Sequence, residues 1–472
     1  MFKKILIANR GEIATRIIRA CKEMGIRSAV IYTEEDSTAL YIKKADEAYL
    51  VTPGPIEAYL NIHRIVDIAQ KIRADAIHPG YGFVSENPKM AELCEKRGIV
   101  FIGPSSSAIE LMGNKLKARE FMKEHNIPVV FGSDGPVENE KDAITWGKKI
   151  GFPVILKASG GGGGRGLRIA NSENELKRYY GLAKSEAAKF FDNPEIFIEK
   201  YIIKPHHIEV QVLADHHGNV IHLGERDCSI QRRHQKVIEI APSLVLSDKK
   251  RKELGALAVK IAKLVHYTNA GTIEFIVDSN MRYYFMEMNT RLQVEHPVTE
   301  SVTGIDIVKK QIEIAAGLEL GIKQKDVKIK GNAIECRLIA EDPQNAFLPN
   351  GGRITAYYSP GGIGVRIDGA VYKDYVVPDY YDPLLLKLTV MGGTWQESVN
   401  RMRRALDEFV IRGIKTNIPY LQAIVNSEDF KKGYFDTEFV NEHPELMEYV
   451  NKVDPADMVI AIASAIAMHE GL

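Results

Sequence analysis

Cysteine is scarce in this chain. Four thiols occur in 472 residues, Cys21, Cys94, Cys228 and Cys336, far apart and never as a Cys-x-x-Cys pair. That spacing excludes a disulfide scaffold, and no His/Cys spacing supports zinc. Long apolar runs are missing, so no stretch reads as a membrane span. The opening Met1-Phe-Lys-Lys-Ile5 lacks the pattern of a secretory signal, and a cytoplasmic protein with reduced thiols is the expectation. Neither sign of charge is in excess: 62 Lys plus Arg balance 62 Asp plus Glu. This argues against generic binding to nucleic acid or to an anionic membrane, while leaving local basic pockets open. The turn Asn9-Arg-Gly-Glu12 lacks the dinucleotide fingerprint, and no Lys-Ser or Lys-Thr follows the longest glycine run, so it is no Walker loop.

That glycine run is what the chain has in its place. Gly160–Gly164 lie between Lys157 and Arg168, with Arg165 alongside. The strand-like Phe152–Leu156 precedes them and Leu167–Ala170 resumes the pattern, which puts the glycines at a hairpin tip. Consecutive glycines hold no single conformation unaided, yet they let many backbone N–H groups approach an anion. The prediction is a mobile lid over phosphate.

The length fits about three domains. Residues 1–114 alternate strands (Lys4–Ala8, Ser28–Tyr32, Asp75–His78, Ile99–Ile102) with helices after Asn9-Arg-Gly-Glu12 and near 57–72 and 86–97. Such alternation predicts a parallel, Rossmann-like α/β sheet. His78-Pro-Gly-Tyr-Gly-Phe83 falls at the strand end where these sheets bind ligands. Residues 115–330 open on a helix at Gly113-Asn-Lys115. They hold a lid subdomain at about 131–203 and a hairpin made of Ile208–Leu213 and Val220–Leu223. Residues 331–446 form an α+β unit with strands at Asn332–Leu338 and Gly352–Tyr358 and a helix at 395–409. The tail, 447–472, has a helix start at Asp454-Pro-Ala-Asp457 and an almost wholly apolar Met458–Met468, too short to span a bilayer. It either packs on its own domain or docks on a partner subunit or dimer mate.

Two clusters carry chemistry. Gln231-Arg-Arg-His-Gln-Lys236 concentrates cationic side chains between two strand signals. In the second, Glu274 stands amid Thr272, Ile273, Phe275 and Ile276, while Glu287 and Asn289 lie two apart on the following strand and share its face. Carboxylates in apolar company are normally paired or metal-bound. Two of them with an amide oxygen suit Mg²⁺ or Mn²⁺. Arg291, Gln293 and Glu295 continue the period-two spacing. They form either a small-anion site with a base or a surface salt bridge.

Met286–Thr299, Ser159–Gly166, Glu225–Lys236 and Ala8–Ala14 resemble the signatures of biotin carboxylases, members of the ATP-grasp superfamily. The likeness runs in order from about residue 1 to 446. It implies an ATP-grasp domain between the N-terminal and C-terminal units, and ATP held between its halves. Lys115, Lys157 and the lid glycines Gly162, Gly163 and Gly164 meet the phosphates. Glu199, Lys200 and Ile202 lie at the adenine, with His207, Gln231 and His234 nearby. Glu274, Glu287 and Asn289 hold Mg²⁺ or Mn²⁺, at two sites. Glu295 is the base on bicarbonate, which Arg291, Gln293 and the Val294 backbone bind. Lys236 meets the transferring phosphoryl group. Arg337 stabilises the biotin enolate, with Tyr81 also at biotin. Two positions depart from the pattern: Ile240 stands where a second Glu often follows Glu239, and His206 where Arg is common before His207. No Met-Lys-Met biotinylation site occurs. The resemblance therefore implies biotin on a separate carrier chain, a carboxyltransferase on another subunit, and a homodimer. Arg412–Leu421 resembles the version in pyruvate carboxylases and leans toward pyruvate or another 2-oxo acid as final acceptor.

Overall fold

The computed structural model describes residues 1–159, 167–191, 194–449 and 455–469. Gly162, Gly163 and Gly164 of the expected lid lie outside the described residues.

The first unit is built on β1 (Lys4–Ile7), β2 (Arg27–Tyr32), β3 (Glu47–Leu50), β4 (Ala76–His78) and β5 (Val100–Phe101). Their spatial order is β3-β2-β1-β4-β5, and every pairing is parallel. Strands covered on both faces read as unbroken apolar runs, and Ile5, Leu6 and Ile7 are all fully buried. The helix Gly11–Glu23 buries Ile13, Ile17, Ile18 and Cys21, the stripe its spacing predicts. The single helix expected at 57–72 is two, Glu57–Leu60 and Ile62–Lys71, because Asn61 caps the second by accepting the Arg64 N–H. Two sequence motifs meet at this sheet's carboxyl edge. Asn9 donates its amide to the carbonyls of Pro79 (2.7 Å) and Tyr81 (2.8 Å), pinning the His78–Phe83 turn beside the first helix. Gly80 has φ +64°, and a Cβ there would stand 2.9 Å from the Asn9 amide nitrogen, so glycine is required.

Asn114 caps the helix Lys115–Glu124 by accepting the Lys117 N–H. Next, β6 (Val154–Ala158), β7 (Arg168–Ala170) and β8 (Ile196–Lys200) form a small antiparallel sheet, with β6 and β7 flanking the glycine run in sequence. The large sheet takes β9 (His206–Ala214), β10 (Val220–Arg232), β11 (Gln235–Ala241), β12 (Asn269–Val277), β13 (Tyr283–Asn289) and β14 (Asn332–Ile339). The strands Leu384–Gly392 and Val365–Gly369 follow β14, giving eight strands ordered β13-β12-β9-β10-β11-β14 and then these two. All its pairings are antiparallel. Pairing of β11 with β14 carries this sheet across residue 330, where the sequence reads as a break. Gly352–Tyr358 is not one strand: Gly352–Arg353 pairs with Val376–Val377, and Ala356–Tyr358 with Val410–Arg412. Among the described residues no helix is long and apolar enough to cross a membrane. The C-terminal helix Pro455–His469 leaves Val459, Ile460, Ile462, Ile466 and Met468 each more than half exposed.

Candidate active site

One row of charge crosses the large sheet. Glu287 on β13, Glu274 on β12, Glu209 on β9 and Arg226 on β10 are successive cross-strand partners. Directly opposed side chains share a face about 5 Å apart, where like charges repel. The row tolerates three carboxylates because cations are threaded through it. Lys236 Nζ stands 2.5 Å from Glu209, 3.0 Å from Glu274 and 2.5 Å from Glu295. Burial lowers the Lys236 pKa, but these carboxylates outweigh it and hold the ammonium well above its ordinary value. Arg226 is fully buried and donates five hydrogen bonds, to Glu209, Gln211, Thr272, Thr299 and Gln293. Its fork geometry suits that role better than a lysine would.

Glu274 is the hub. Its oxygens accept from Lys236, Asn289 Nδ2 (2.9 Å) and Gln293 Nε2 (2.6 Å), and pair with His207 Nε2 at 2.8 Å. Burial pushes its carboxyl up, yet Lys236 and His207 hold it well below the ordinary range. Gln231 reaches the other ring nitrogen of His207 at 2.6 Å. Glu295, 2% exposed just before the helix His296–Thr303, takes Lys236 on one oxygen and Arg337 on the other at 2.9 Å. Burial raises its pKa; Lys236 and Arg337 reverse that and lower it. A carboxylate held down by two cations becomes a stronger base when an incoming anion draws them away. Arg337 also grips Glu239 at 2.5 Å, and burial pushes the Glu239 carboxyl up to about 7.

The remaining expected residues fall around this row. Lys115 pairs with Glu287 at 2.8 Å, on the same strand pair as Glu274. Lys157 on β6 pairs with Glu199 on β8 at 2.6 Å, and Arg119 shares that carboxylate at 3.0 Å. Lys200 does not join them. Alternation along β8 sends it to the opposite face from Glu199, and its ammonium donates to the carbonyls of Gly151 (3.0 Å) and Phe152 (2.9 Å). Ile202 is half-buried in the β8–β9 connection, and His234 is exposed at the β10–β11 hairpin tip with φ +64°. Arg291 pairs with Glu86 at 2.9 Å and donates to Asn289 Oδ1 at 2.9 Å. Tyr81 donates its hydroxyl to Glu12.

The period-two spacing does not run through to Glu295. β13 ends at Asn289, and a bulge beside Glu274 leaves Met286 out of register. Residues 290–295 are a loop, and side-chain contacts bring Arg291, Gln293 and Glu295 to the row. The two departures from the family pattern bear little on the charge there. Ile240 is fully buried on the face of β11 opposite Glu239, and His206 stands 3.6 Å from Asp227.

The expected metal donors lie close together on β12 and β13. Glu274 and Glu287 are directly opposed, Asn289 donates to Glu274, and an ammonium already stands on each carboxylate: Lys236 on the first, Lys115 on the second. The two opposed carboxylates and the Asn289 Oδ1, which here accepts from Arg291, are hard oxygens of the kind Mg²⁺ or Mn²⁺ takes, and they would hold the ion once Lys236 and Lys115 move off the carboxylates. Among the described residues, His207–Glu209–Glu274 and Glu209–Cys228–Glu295 bring ligand atoms within 4.8 Å of one another. The second needs a thiolate, and burial pushes the Cys228 thiol well above its ordinary value, so none is on offer.

Glu209, Arg226, Glu86 and Lys387 are the site residues that sequence reasoning missed. Glu209 carried a readable signal, a charge inside the apolar alternation Ile208–Leu213, which is the signal that singled out Glu274. Arg226 lies within the signature stretch Glu225–Lys236 but carried no sign of its role, and Glu86 and Lys387 carried no signal at all.

A row of carboxylates answered by Lys236 from β11 and Lys115 from the helix Lys115–Glu124 is in keeping with the ATP-grasp ligase that the sequence resemblance implies. Comparison with known proteins narrows the class. The model for the biotin carboxylase N-terminal domain matches residues 1–109. That for the carbamoyl-phosphate synthase L chain ATP binding domain matches 114–323, and that for the biotin carboxylase C-terminal domain matches 335–442. The small subunit of 2-oxoglutarate carboxylase from Hydrogenobacter thermophilus is 53% identical over 472 residues, the whole of both chains. Biotin carboxylase 1 of Bacillus subtilis is 53% identical over 94% of this chain and 99% of that one. A crystal structure of the Hydrogenobacter thermophilus 2-oxoglutarate carboxylase biotin carboxylase domain dimer superposes with a TM-score of 0.94 at 54% identity, covering 96% of this chain and 100% of that one. That crystal holds MgADP, ADP and bicarbonate. The chain belongs to the biotin carboxylase family.

Proposed function

We propose that this chain uses ATP and bicarbonate to carboxylate biotin, the first half-reaction of a 2-oxo acid carboxylase acting on pyruvate or 2-oxoglutarate. The observation that carries the reading is Glu295 held between Lys236 and Arg337 beside the Glu274–Glu287 pair. Glu274 and Glu287, with Asn289, would hold Mg²⁺ or Mn²⁺, which neutralises phosphate charge. Lys115 and Lys157 leave their carboxylates for the phosphates, where Gly162, Gly163 and Gly164 are also expected. Glu199, the Lys200 backbone, Ile202, His207, Gln231 and His234 take the nucleoside.

Arg291, Gln293 and the Val294 backbone hold bicarbonate while Glu295 takes its proton. A bicarbonate oxygen then bonds to the γ-phosphorus, the bond to ADP breaks, and Lys236 stabilises the charge in transfer. The carboxyphosphate splits into carbon dioxide and phosphate, and the phosphate removes the ureido N–H proton of biotin. Arg337 stabilises the resulting enolate, whose nitrogen attacks carbon dioxide, with Tyr81 against the biotin ring. Exclusion of water matters because the mixed anhydride is labile.

Support for a homodimer, and for carrier and carboxyltransferase functions on other chains, comes from the dimer and small subunit among the relatives. A cytoplasmic location fits the buried, unpaired thiols. The test is bicarbonate-dependent ATP cleavage with free biotin, comparing wild type, Glu295→Ala and Arg337→Ala. Glu295→Ala loses bicarbonate-dependent cleavage, whereas Arg337→Ala keeps cleavage and loses carboxybiotin. Full carboxylation by both variants would overturn these roles.

A further inference from the structure

The mechanism gives no part to Lys387, a fully buried cation on the large sheet. Lys387, on the strand Leu384–Gly392, has 0% exposure. Its ammonium donates to the Val294 carbonyl at 2.8 Å and stands 3.1 Å from the Glu12 carboxylate. Glu12, in the first turn of the helix Gly11–Glu23, is 5% exposed and accepts the Tyr81 hydroxyl. The Tyr81 ring centre lies 5.8 Å from the same ammonium, at the edge of cation–π range. One side chain thus joins three segments remote in sequence: the first helix, the His78–Phe83 turn and the 290–295 loop.

That loop needs holding. It lies between β13 and the helix His296–Thr303, and its residues belong to neither a strand nor a helix. The Val294 carbonyl and the Glu295 N–H share one rigid peptide plane. Fixing the carbonyl fixes that N–H and the Glu295 Cα, and with them the carboxylate between Lys236 and Arg337. A charge on the carbonyl also polarises the peptide, making its N–H a better donor.

From this geometry we infer that Lys387, anchored by Glu12, is a positioning residue that sets the Val294–Glu295 peptide for bicarbonate and ties that setting to Tyr81 at the biotin face. The inference rests on the roles proposed above for Val294, Glu295 and Tyr81. Lys387 itself touches no reacting atom and acts through the Val294 carbonyl.

The experiment uses the full chain and initial rates of bicarbonate-dependent ATP cleavage with free biotin. Lys387→Met removes the ammonium but strands Glu12. The double variant Glu12→Gln/Lys387→Met removes both charges at nearly constant volume, and it decides the matter where the single variant fails to fold. The expected result is a bicarbonate KM raised about 10- to 100-fold, with the ATP KM changed by less than about twofold, the scale of a misplaced reacting group. Tyr81→Phe, which keeps the ring and loses the hydroxyl, raises the bicarbonate KM in the same direction by less. A folded double variant with the wild-type bicarbonate KM overturns the inference. So does a parallel rise in both KM values, which would mean general loosening. Failure of the underlying function looks different: the wild type would then show no bicarbonate-dependent cleavage at all.

Discussion

Replacing Lys236 by Met tests how the charge row is held together. The substitution keeps the length of the side chain and removes a cation within 3.0 Å of three buried carboxylates, Glu209, Glu274 and Glu295. Breaking a buried pair by removing one partner costs about 3–5 kcal/mol. Each of the three carboxylates keeps another cation, Arg226, His207 or Arg337, so the lower end applies. Unfolding entropy near 2.1 cal/mol/K per residue gives roughly 1 kcal/mol/K for a chain this size, so Tm falls by about 3 °C at pH 8. The pH dependence is the sharper part. In the wild type Glu274 and Glu295 sit below their ordinary pKa, so their stabilisation is present above the unfolded value near 4.5 and lost only as pH falls through the folded value. Without Lys236, burial is less well opposed and the folded pKa values rise. Groups raised in the folded state stabilise at low pH and lose that stabilisation as pH rises. The gap in Tm between wild type and Lys236→Met is therefore widest at pH 8 and shrinks toward pH 5. Thermal unfolding at both pH values measures it. Gaps of equal size, or no gap, would refute the account of Lys236 as the shared counter-ion.

Three further outcomes are expected. Glu239 is pushed up to about 7, so the folded state binds its proton more tightly than the unfolded chain does. This group alone adds stability as pH falls from 8 toward 5, and Glu239→Gln flattens that part of the Tm–pH curve; an unchanged curve counts against it. Glu287→Gln raises the Mg²⁺ needed for half-maximal ATP cleavage by at least about tenfold, read by metal titration at saturating ATP. A chain lacking residues 455–469, whose apolar residues stand exposed, keeps carboxylation of free biotin and loses co-elution with a carrier-bearing partner subunit. Unchanged co-elution removes the docking alternative for that helix.

What the sequence made legible was local. Parallel strands in the first unit followed from alternation, and Asn61 and Asn114 show why two helices begin where they do. The hairpin β9–β10 was readable because residues 208–213 alternate cleanly, and Glu274 because a charge stood among apolar neighbours. Limits appear wherever a residue is defined by partners far along the chain. Arg226 donates to Glu209, Gln211, Thr272, Gln293 and Thr299, which converge only when β9, β10 and β12 pair. Lys387 is separated by 93 residues from Val294 and lies farther still from Glu12, and nothing next to it in the strand Leu384–Gly392 marks it as a cation for a loop.

At Lys200, adjacency in sequence does not mean a shared face. Adjacent strand residues face opposite ways, so Glu199 and Lys200 cannot both present side chains to one ligand. The same rule keeps Ile240 away from Glu239. Residues 290–295 escape the rule because no strand governs them. Their placement rests on Arg291 to Glu86, Gln293 to Arg226 and Val294 to Lys387, three contacts to three different segments. A loop with no backbone pairing of its own takes whatever geometry its anchors set. Changes at Glu86, Arg226 and Lys387, none of which touches a substrate, should therefore still be felt at the reacting centre.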